Sequence, residues 1–344
     1  MDTNHVSIIQ WNCRGLKANF EEIQHLICSY NPQVMCLQET YLKDTDTIKF
    51  KGFNIYNYTS VSPVDGRPIG GSSILVKKGI PHEVFKLETS LQAVAVQVTL
   101  HRTLTICSLY VPPRSVIKSE DLDSLVTELT GPYLLLGDLN AHSTLWGNQT
   151  NNALGDTVEK FVEHNDLSLL NDQSATYLHP ATGFFSSIDL SLCSPSLFLD
   201  FHWNVHNDQC GSDHYPVFLR INKPMPHETV PKWKLHKANW SEFKRLANDL
   251  LKKDRFEGKT DPISLFSDTI IDIATQTIPK TSANSKCIPK PWFNTECLKA
   301  VKARKNALQK FSTEPTTENL NKYRSARANA RRIIKTSKKE SWRE

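Results

Sequence analysis

Tyr133-Leu134-Leu135-Leu136-Gly137-Asp138-Leu139-Asn140 is a short apolar run that ends abruptly in a carboxylate and an amide. An apolar segment of this length, bounded by turn residues, reads as a strand. The same arrangement recurs along the front of the chain. Asn12 follows Ser7-Ile8-Ile9-Gln10-Trp11, and Gln38-Glu39-Thr40 follows Val34-Met35-Cys36-Leu37. Tyr110 ends the run Ile106 to Leu109, Asp189 enters Leu190-Ser191-Leu192, and Gly211-Ser212-Asp213-His214 precedes Tyr215-Pro216-Val217-Phe218. Asn and Asp terminate strands simply as turn formers, so each position alone has a plain structural explanation. Their repetition in one context points to a site, because α/β domains display their chemistry at strand ends.

Further strands are expected at Ser72 to Val76, at Val94 to Leu100 where Val94, Val96 and Val98 alternate, and at Thr103 to Val111. Ile23, Leu26, Ile27 and Tyr30 have helical spacing, and helices are also expected near 119–129 and 155–165. Many strands with helices between them predict a layered α/β domain over 1–221. Pro224, Pro226 and Pro231 mark a Pro-rich linker at 222–236. Residues 237–344 turn helical and basic. Asn294 is a candidate cap for one helix and Thr317 for the last, which carries eight Lys/Arg between Lys322 and Lys339.

Across 344 residues the net charge is +5, but it is unevenly spread. Residues 1–220 carry 14 Lys/Arg against 23 Asp/Glu, whereas 221–344 carry 27 against 13. An acidic front joined to a basic back fits a carboxylate-rich site followed by a segment that meets polyanions; the plainer reading is a solvated helical face. No stretch approaches the ~18 apolar residues of a membrane span, and the N-terminus lacks signal-peptide order. The eight cysteines form no C-x-x-C pair. Reduced thiols in an intracellular protein are therefore expected.

The set Trp11-Asn12, Gln38-Glu39-Thr40, Gly137-Asp138-Leu139-Asn140, Ile188-Asp189 and Ser212-Asp213-His214 resembles the endonuclease/exonuclease/phosphatase superfamily. Within it, Trp11-Asn12-Cys13-Arg14-Gly15-Leu16, Asn140-Ala141-His142-Ser143-Thr144-Leu145-Trp146-Gly147 and Ser187 to Ser194 look like the apurinic-type endonuclease domains of non-LTR (LINE) retrotransposons of the Jockey, I and R1 groups. Pro291-Trp292-Phe293-Asn294, Tyr323-Arg324 and Lys339 to Glu344 are similar to the connector towards reverse transcriptase in such elements.

The resemblance implies a four-layer α/β sandwich, two packed sheets flanked by helices, followed by the helical basic tail. It also implies Mg²⁺-dependent DNA nicking, with Mn²⁺ as a substitute, that leaves a 3′-hydroxyl to prime reverse transcription. Glu39 and Asn12 would hold the metal, with Asp213 as a metal-side or histidine-positioning acid. Asp138 would orient or deprotonate the attacking water, with Asn140 holding it or the phosphate. His214, oriented by Asp189, would stabilise charge on the phosphate, and Tyr110 would contact it. Ser212, Thr176 and Arg14 would be substrate-binding. Either Asp138 or His214 could be the general base. Partners implied are target DNA, element RNA and a reverse transcriptase domain in the same chain, with no membrane. The site of action would be nuclear, with a cytoplasmic pool also compatible. Abasic-site repair enzymes carry an acid where Arg14 stands, which disfavours that activity. Ser186-Ser187-Ile188-Asp189 lacks the Arg-rich lead of inositol phosphatases. A small-molecule phosphomonoesterase and a non-catalytic, domesticated nucleic-acid-binding protein are the alternatives. No Phe/Tyr-x-Asp-Asp polymerase motif occurs, so the chain is expected to be a fragment, a truncated copy or a partial gene model.

Overall fold

The computed structural model describes residues 7–222, 233–258, 260–280 and 291–341. The three linker prolines lie outside these ranges. Two six-stranded sheets dominate. The first holds β1 (Ile8–Asn12), β2 (Val34–Gln38), β3 (Phe53–Tyr58), β4 (Ser72–Lys77), β13 (Phe201–Val205) and β14 (Val217–Ile221), in the order β13-β14-β1-β2-β4-β3. The second holds β5 (His82–Phe85), β6 (Gln92–Thr99), β7 (Thr103–Tyr110), β8 (Tyr133–Asp138), β9 (Ser168–Leu169) and β12 (Asp189–Cys193), in the order β5-β6-β7-β8-β12-β9. A small hairpin pairs β10 (Tyr177–Leu178) with β11 (Phe185–Ser186).

Why the strands are apolar runs follows from their two buried faces. Ile8, Ile106, Leu134 and Leu136 share one core that draws on both sheets. Ile9 and Trp11 instead pack with Ile23 and Leu26 of α1 (Phe20–Tyr30). Leu135 faces α2 (Ser119–Thr127) and α3 (Ala153–His164), among Leu122, Leu125, Val158 and Phe161. Helix, sheet, sheet and helix make four layers, as expected. β3, β5 and β13 were not anticipated, and β5, with no buried residue, lacks the apolar run that marks a strand.

The pairings place the chemistry. β1 and β2 are parallel, as are β7 and β8, so their C-terminal ends share an edge within each sheet. β14 runs antiparallel to β1, and β12 to β8, which brings the entries of β14 and β12 to those same ends.

Inter-residue contacts group Cys287–Glu344 with the front of the chain and set His227–Lys286 apart. The smaller unit contains α4 (Trp240–Leu250) and α5 (Pro262–Thr277). The expected 237–344 connector is therefore described in two pieces. In the larger unit, α6 (Thr295–Thr313) begins at Asn294, whose side chain accepts from Glu296 and Cys297 amides as expected of a cap. α7 (Thr317–Ser341) is instead capped by Thr316, whose Oγ1 accepts from the Asn319 amide at 3.2 Å; Thr317 is already helical. Leu308, Phe311, Leu320 and Tyr323 of this pair pack with Leu178 and Tyr215. The described cysteines form no disulfide, and no helix among the described residues is long and apolar enough to cross a membrane.

One buried ion pair secures α6. The Arg304 guanidinium donates to both Asp208 oxygens, at 3.0 and 2.8 Å, and Lys305 stands 3.3 Å away. Burial alone would push the Asp208 carboxyl up, but Arg304 and Lys305 hold it below its ordinary value of 3.8. Breaking a buried pair by removing one partner costs about 3–5 kcal/mol. Arg304→Met should therefore speed hydrogen exchange across α6 and α7, and unaltered exchange there would refute the assignment. A depressed folded-state value means the contribution is present above 3.8 and lost as pH falls through the folded value, so docking should loosen only in strong acid.

Candidate active site

The β8–β12 register sets Asp138 directly opposite Asp189. Both are buried. Asp138 Oδ2 accepts from Asn12 Nδ2 at 2.7 Å and Oδ1 from the Asn140 amide at 3.1 Å. Asn12 Oδ1 in turn accepts from the Arg14 amide at 3.1 Å. Gly137 is required where β8 runs beside β7, because a Cβ there would lie 1.9 Å from the Leu109 carbonyl oxygen. Arg14, Glu39 and Asn140 adopt left-handed backbone, with φ of 46°, 49° and 48°. Such conformations cost about 1–3 kcal/mol each and persist where the surroundings over-determine them.

His214 bridges the two carboxylates. Its Nδ1 lies 2.8 Å from Asp189 Oδ2 and its Nε2 3.7 Å from Asp138 Oδ2. Trp11 Nε1 donates to the His214 carbonyl, and the His214 amide donates to Ser212 Oγ. The Tyr177 ring packs against the imidazole at 4.7 Å. Burial alone would push the imidazole down, but Asp189 and Asp138 outweigh it and raise it above its ordinary value. Burial is the main cause that raises Asp138, with Asp189 and Glu39 adding and His214 opposing.

Glu39 stands at the other side of the shared edge. Tyr110 donates to its Oε1 at 2.9 Å, and Tyr41 donates to Oε2. These donors are neutral. Arg14 pairs with Asp213, and His214 serves Asp189 and Asp138. Among the described residues, Asp189 Oδ1 is buried without a hydrogen-bond partner. The four carboxylates are thus matched by two directly paired cations, a deficit that a divalent ion would balance. A carboxylate retains lone pairs beyond two accepted hydrogen bonds, so Glu39 fits as a ligand. Asp138, Asp189 and His214 also offer atoms within 4.8 Å of one another. Because Asp189 and Nδ1 already engage each other, the oxygen-rich Glu39 side suits a hard cation better.

Residues 104–218 match the family model described as "Endonuclease-reverse transcriptase". That stretch, about a third of the chain, is similar to endonucleases of the endonuclease/exonuclease/phosphatase type. The chain is 25% identical over 221 residues to the probable RNA-directed DNA polymerase from transposon X-element of Drosophila melanogaster, covering 62% of this chain and 24% of that protein. It is 26% identical over 238 residues to the RNA-directed DNA polymerase from mobile element jockey of Drosophila funebris, 64% of this chain and 24% of that protein. The chain thus spans about a quarter of the length of these relatives. Its fold is similar to the endonuclease domain of TRAS1, a telomere-specific non-LTR retrotransposon, with TM-score 0.52 and 23% identity over 62% of this chain and 96% of that one.

Asn12, Glu39, Tyr110, Asp138, Asn140, Asp189, Asp213 and His214 come together through the contacts above. Two roles differ from expectation. Thr176 is fully buried, and its Oγ1 accepts from the amides of Ile188 and Asp189 at 3.2 and 3.1 Å. It positions Asp189 and is not placed to bind substrate. Ser212 is also buried and spends its proton on the Asn12 carbonyl, 2.8 Å away, so it ties β1 to the His214 segment rather than meeting substrate. Asp189 engages the His214 ring, and Asp213 engages Arg14. Arg14, with its side chain 47% exposed, remains accessible to a phosphate. Tyr41 and Tyr177 escaped the sequence reading. Tyr41 lies two residues after Glu39, a usable signal, whereas nothing local marks Tyr177.

Thr176→Val removes the acceptor for two buried amides, each left at a cost of about 1–3 kcal/mol. Both the denaturation midpoint and activity should fall, and Thr176→Ser should restore them. Wild-type stability in Thr176→Val would show that the hydroxyl does not anchor Asp189.

Proposed function

We propose that the domain is a Mg²⁺-dependent DNA endonuclease that nicks one strand, leaving a 3′-hydroxyl that primes target-primed reverse transcription. The observation that carries this reading is the buried Asp138–His214–Asp189 trio meeting Glu39 at one shared sheet edge. Relatives named as RNA-directed DNA polymerases of mobile elements support the retrotransposition context, with reverse transcriptase, element RNA and target DNA as partners and the nucleus as the site of action.

Hydrolysis adds water to phosphorus and breaks the bond to the departing 3′ oxygen. Asp138, desolvated and held from both sides by Asn12 and Asn140, takes the proton of the attacking water. His214, kept cationic by Asp189, donates from Nε2 to the phosphate and offsets its developing charge. Tyr110 holds Glu39 in place and lines the same edge. A divalent cation held by Glu39 and Asn12 would neutralise phosphate oxygens as the charge shifts. Arg14, beside Asp213, is available to a neighbouring phosphate. Leu145, in the short 3-10 turn Thr144–Trp146, and Phe184, between β10 and β11, are each 63% exposed and suited to contacts with flanking nucleotides.

Supercoiled plasmid incubated with the protein should be nicked in Mg²⁺ or Mn²⁺ and spared in EDTA. Glu39→Ala and His214→Ala should each slow nicking by about 10²-fold or more. The nick should be extendable by a polymerase without phosphatase treatment. A wild-type nicking rate no higher than that of Glu39→Ala or His214→Ala removes the endonuclease reading, and turnover of a phosphomonoester alone would replace it with the phosphomonoesterase.

A further inference from the structure

We infer that α6 and α7 are a positioning brace for His214, acting on the non-regular segment 209–213 that leads into it. The inference rests on the endonuclease reading for its kinetic consequence, but its geometry stands apart from it. The carbonyls of three successive residues before His214 are each held. Arg331 donates to the Gly211 carbonyl at 2.9 Å, and Arg327 donates to the Ser212 carbonyl at 2.7 Å. The Asp213 carbonyl accepts from Gln209 Nε2 at 2.7 Å, and Gln209 Oε1 accepts in turn from the Tyr323 hydroxyl. Every one of these lines of contact ends on α7.

The segment needs such support. It belongs to no strand or helix, and Cys210 and Gly211 take left-handed φ of 52° and 93°. The Ser212 and Asp213 carbonyls are buried and costly unless paired, so these donors favour the path that presents His214 to Asp189. The far side is braced as well. Arg324 donates to the carbonyls of Pro180 and Ala181 in the β10–β11 hairpin, and Phe185 stacks on Phe311 at 5.7 Å. The base of that hairpin is bonded to the His214 segment through the Leu178 amide on the Asp213 carbonyl and the Tyr215 amide on the Thr176 carbonyl. A helix pair that sequence composition marks as a nucleic-acid grip therefore clasps both backbone segments that flank the histidine.

The test uses the full chain and three variants: Tyr323→Phe, Arg327→Met and Arg327→Lys. Tyr323→Phe keeps the ring in its apolar cluster and removes only the hydroxyl, so folding is preserved. Displacements of about 1 Å can cost about 10²-fold in rate. Single-turnover nicking should fall about tenfold or more in Arg327→Met and several-fold in Tyr323→Phe, with partial recovery in Arg327→Lys. DNA affinity measured in EDTA, and its salt dependence, should stay at wild-type values. Amide exchange across 209–215 should accelerate in both impaired variants. Weakened affinity with a shallower salt slope and an unchanged rate would make the α7 arginines phosphate contacts and overturn the brace. Wild-type exchange across 209–215 in both variants would overturn it too. If the wild-type chain never nicks, the endonuclease reading fails while the exchange comparison still decides whether α7 holds the segment.

Discussion

The antiparallel register of β8 with β12 sets two buried carboxylates, Asp138 and Asp189, in one rung of the ladder, and much of the surrounding structure serves that placement. Unpaired, such a juxtaposition would be strongly unfavourable, because like charges removed from water repel at high cost. His214 lies between the two, and the amide of Asn12 and the backbone of Asn140 satisfy Asp138. Thr176 fixes the backbone at Asp189 from behind. The outcome is an imidazole kept charged and a carboxylate made more basic by burial, side by side.

The two sheets contribute different halves of this arrangement. The second sheet supplies Tyr110, Asp138 and Asp189, while the first supplies Asn12 and leads directly into Glu39 and out of His214. Contacts across the sandwich, Asn12 to Asp138 and Tyr110 to Glu39, close the site, so its geometry depends on the packing of the core between the sheets. The segment carrying His214 is the least regular contributor. It is also the one held by a part of the chain far away in sequence, over separations such as 115 residues between Arg327 and Ser212.

Much of this was legible in residue order. Runs such as Ile8 to Trp11 and Leu134 to Leu136 announce strands because alternate residues face two different apolar layers, which removes the polar interruptions of a one-sided strand. Polar residues at the ends of those runs stand out for the same reason. Thr176 and Ser212 take roles other than the expected ones because a hydroxyl that accepts from buried amides has the same local sequence appearance as one that meets a ligand. β5 is not legible in the sequence because an edge strand with no buried face needs no apolar pattern. The last helix begins one residue away from the expected cap because Thr316 and Thr317 offer the same hydroxyl, and only backbone geometry chooses between them.

Sequence alone determined the layered α/β class, the strand ends that bear Asn12, Glu39, Asp138, Asp189 and His214, and the basic character of the final helices. These are properties of local composition and period, which a single chain segment carries in itself. Tertiary structure alone decided that Thr176 anchors the Asp189 backbone, that Arg14 takes Asp213, and that the basic helix α7 closes on the His214 segment. Those pairings depend on strand register and helix docking between distant segments, and a shift of one residue in either would exchange the partners without changing any local pattern.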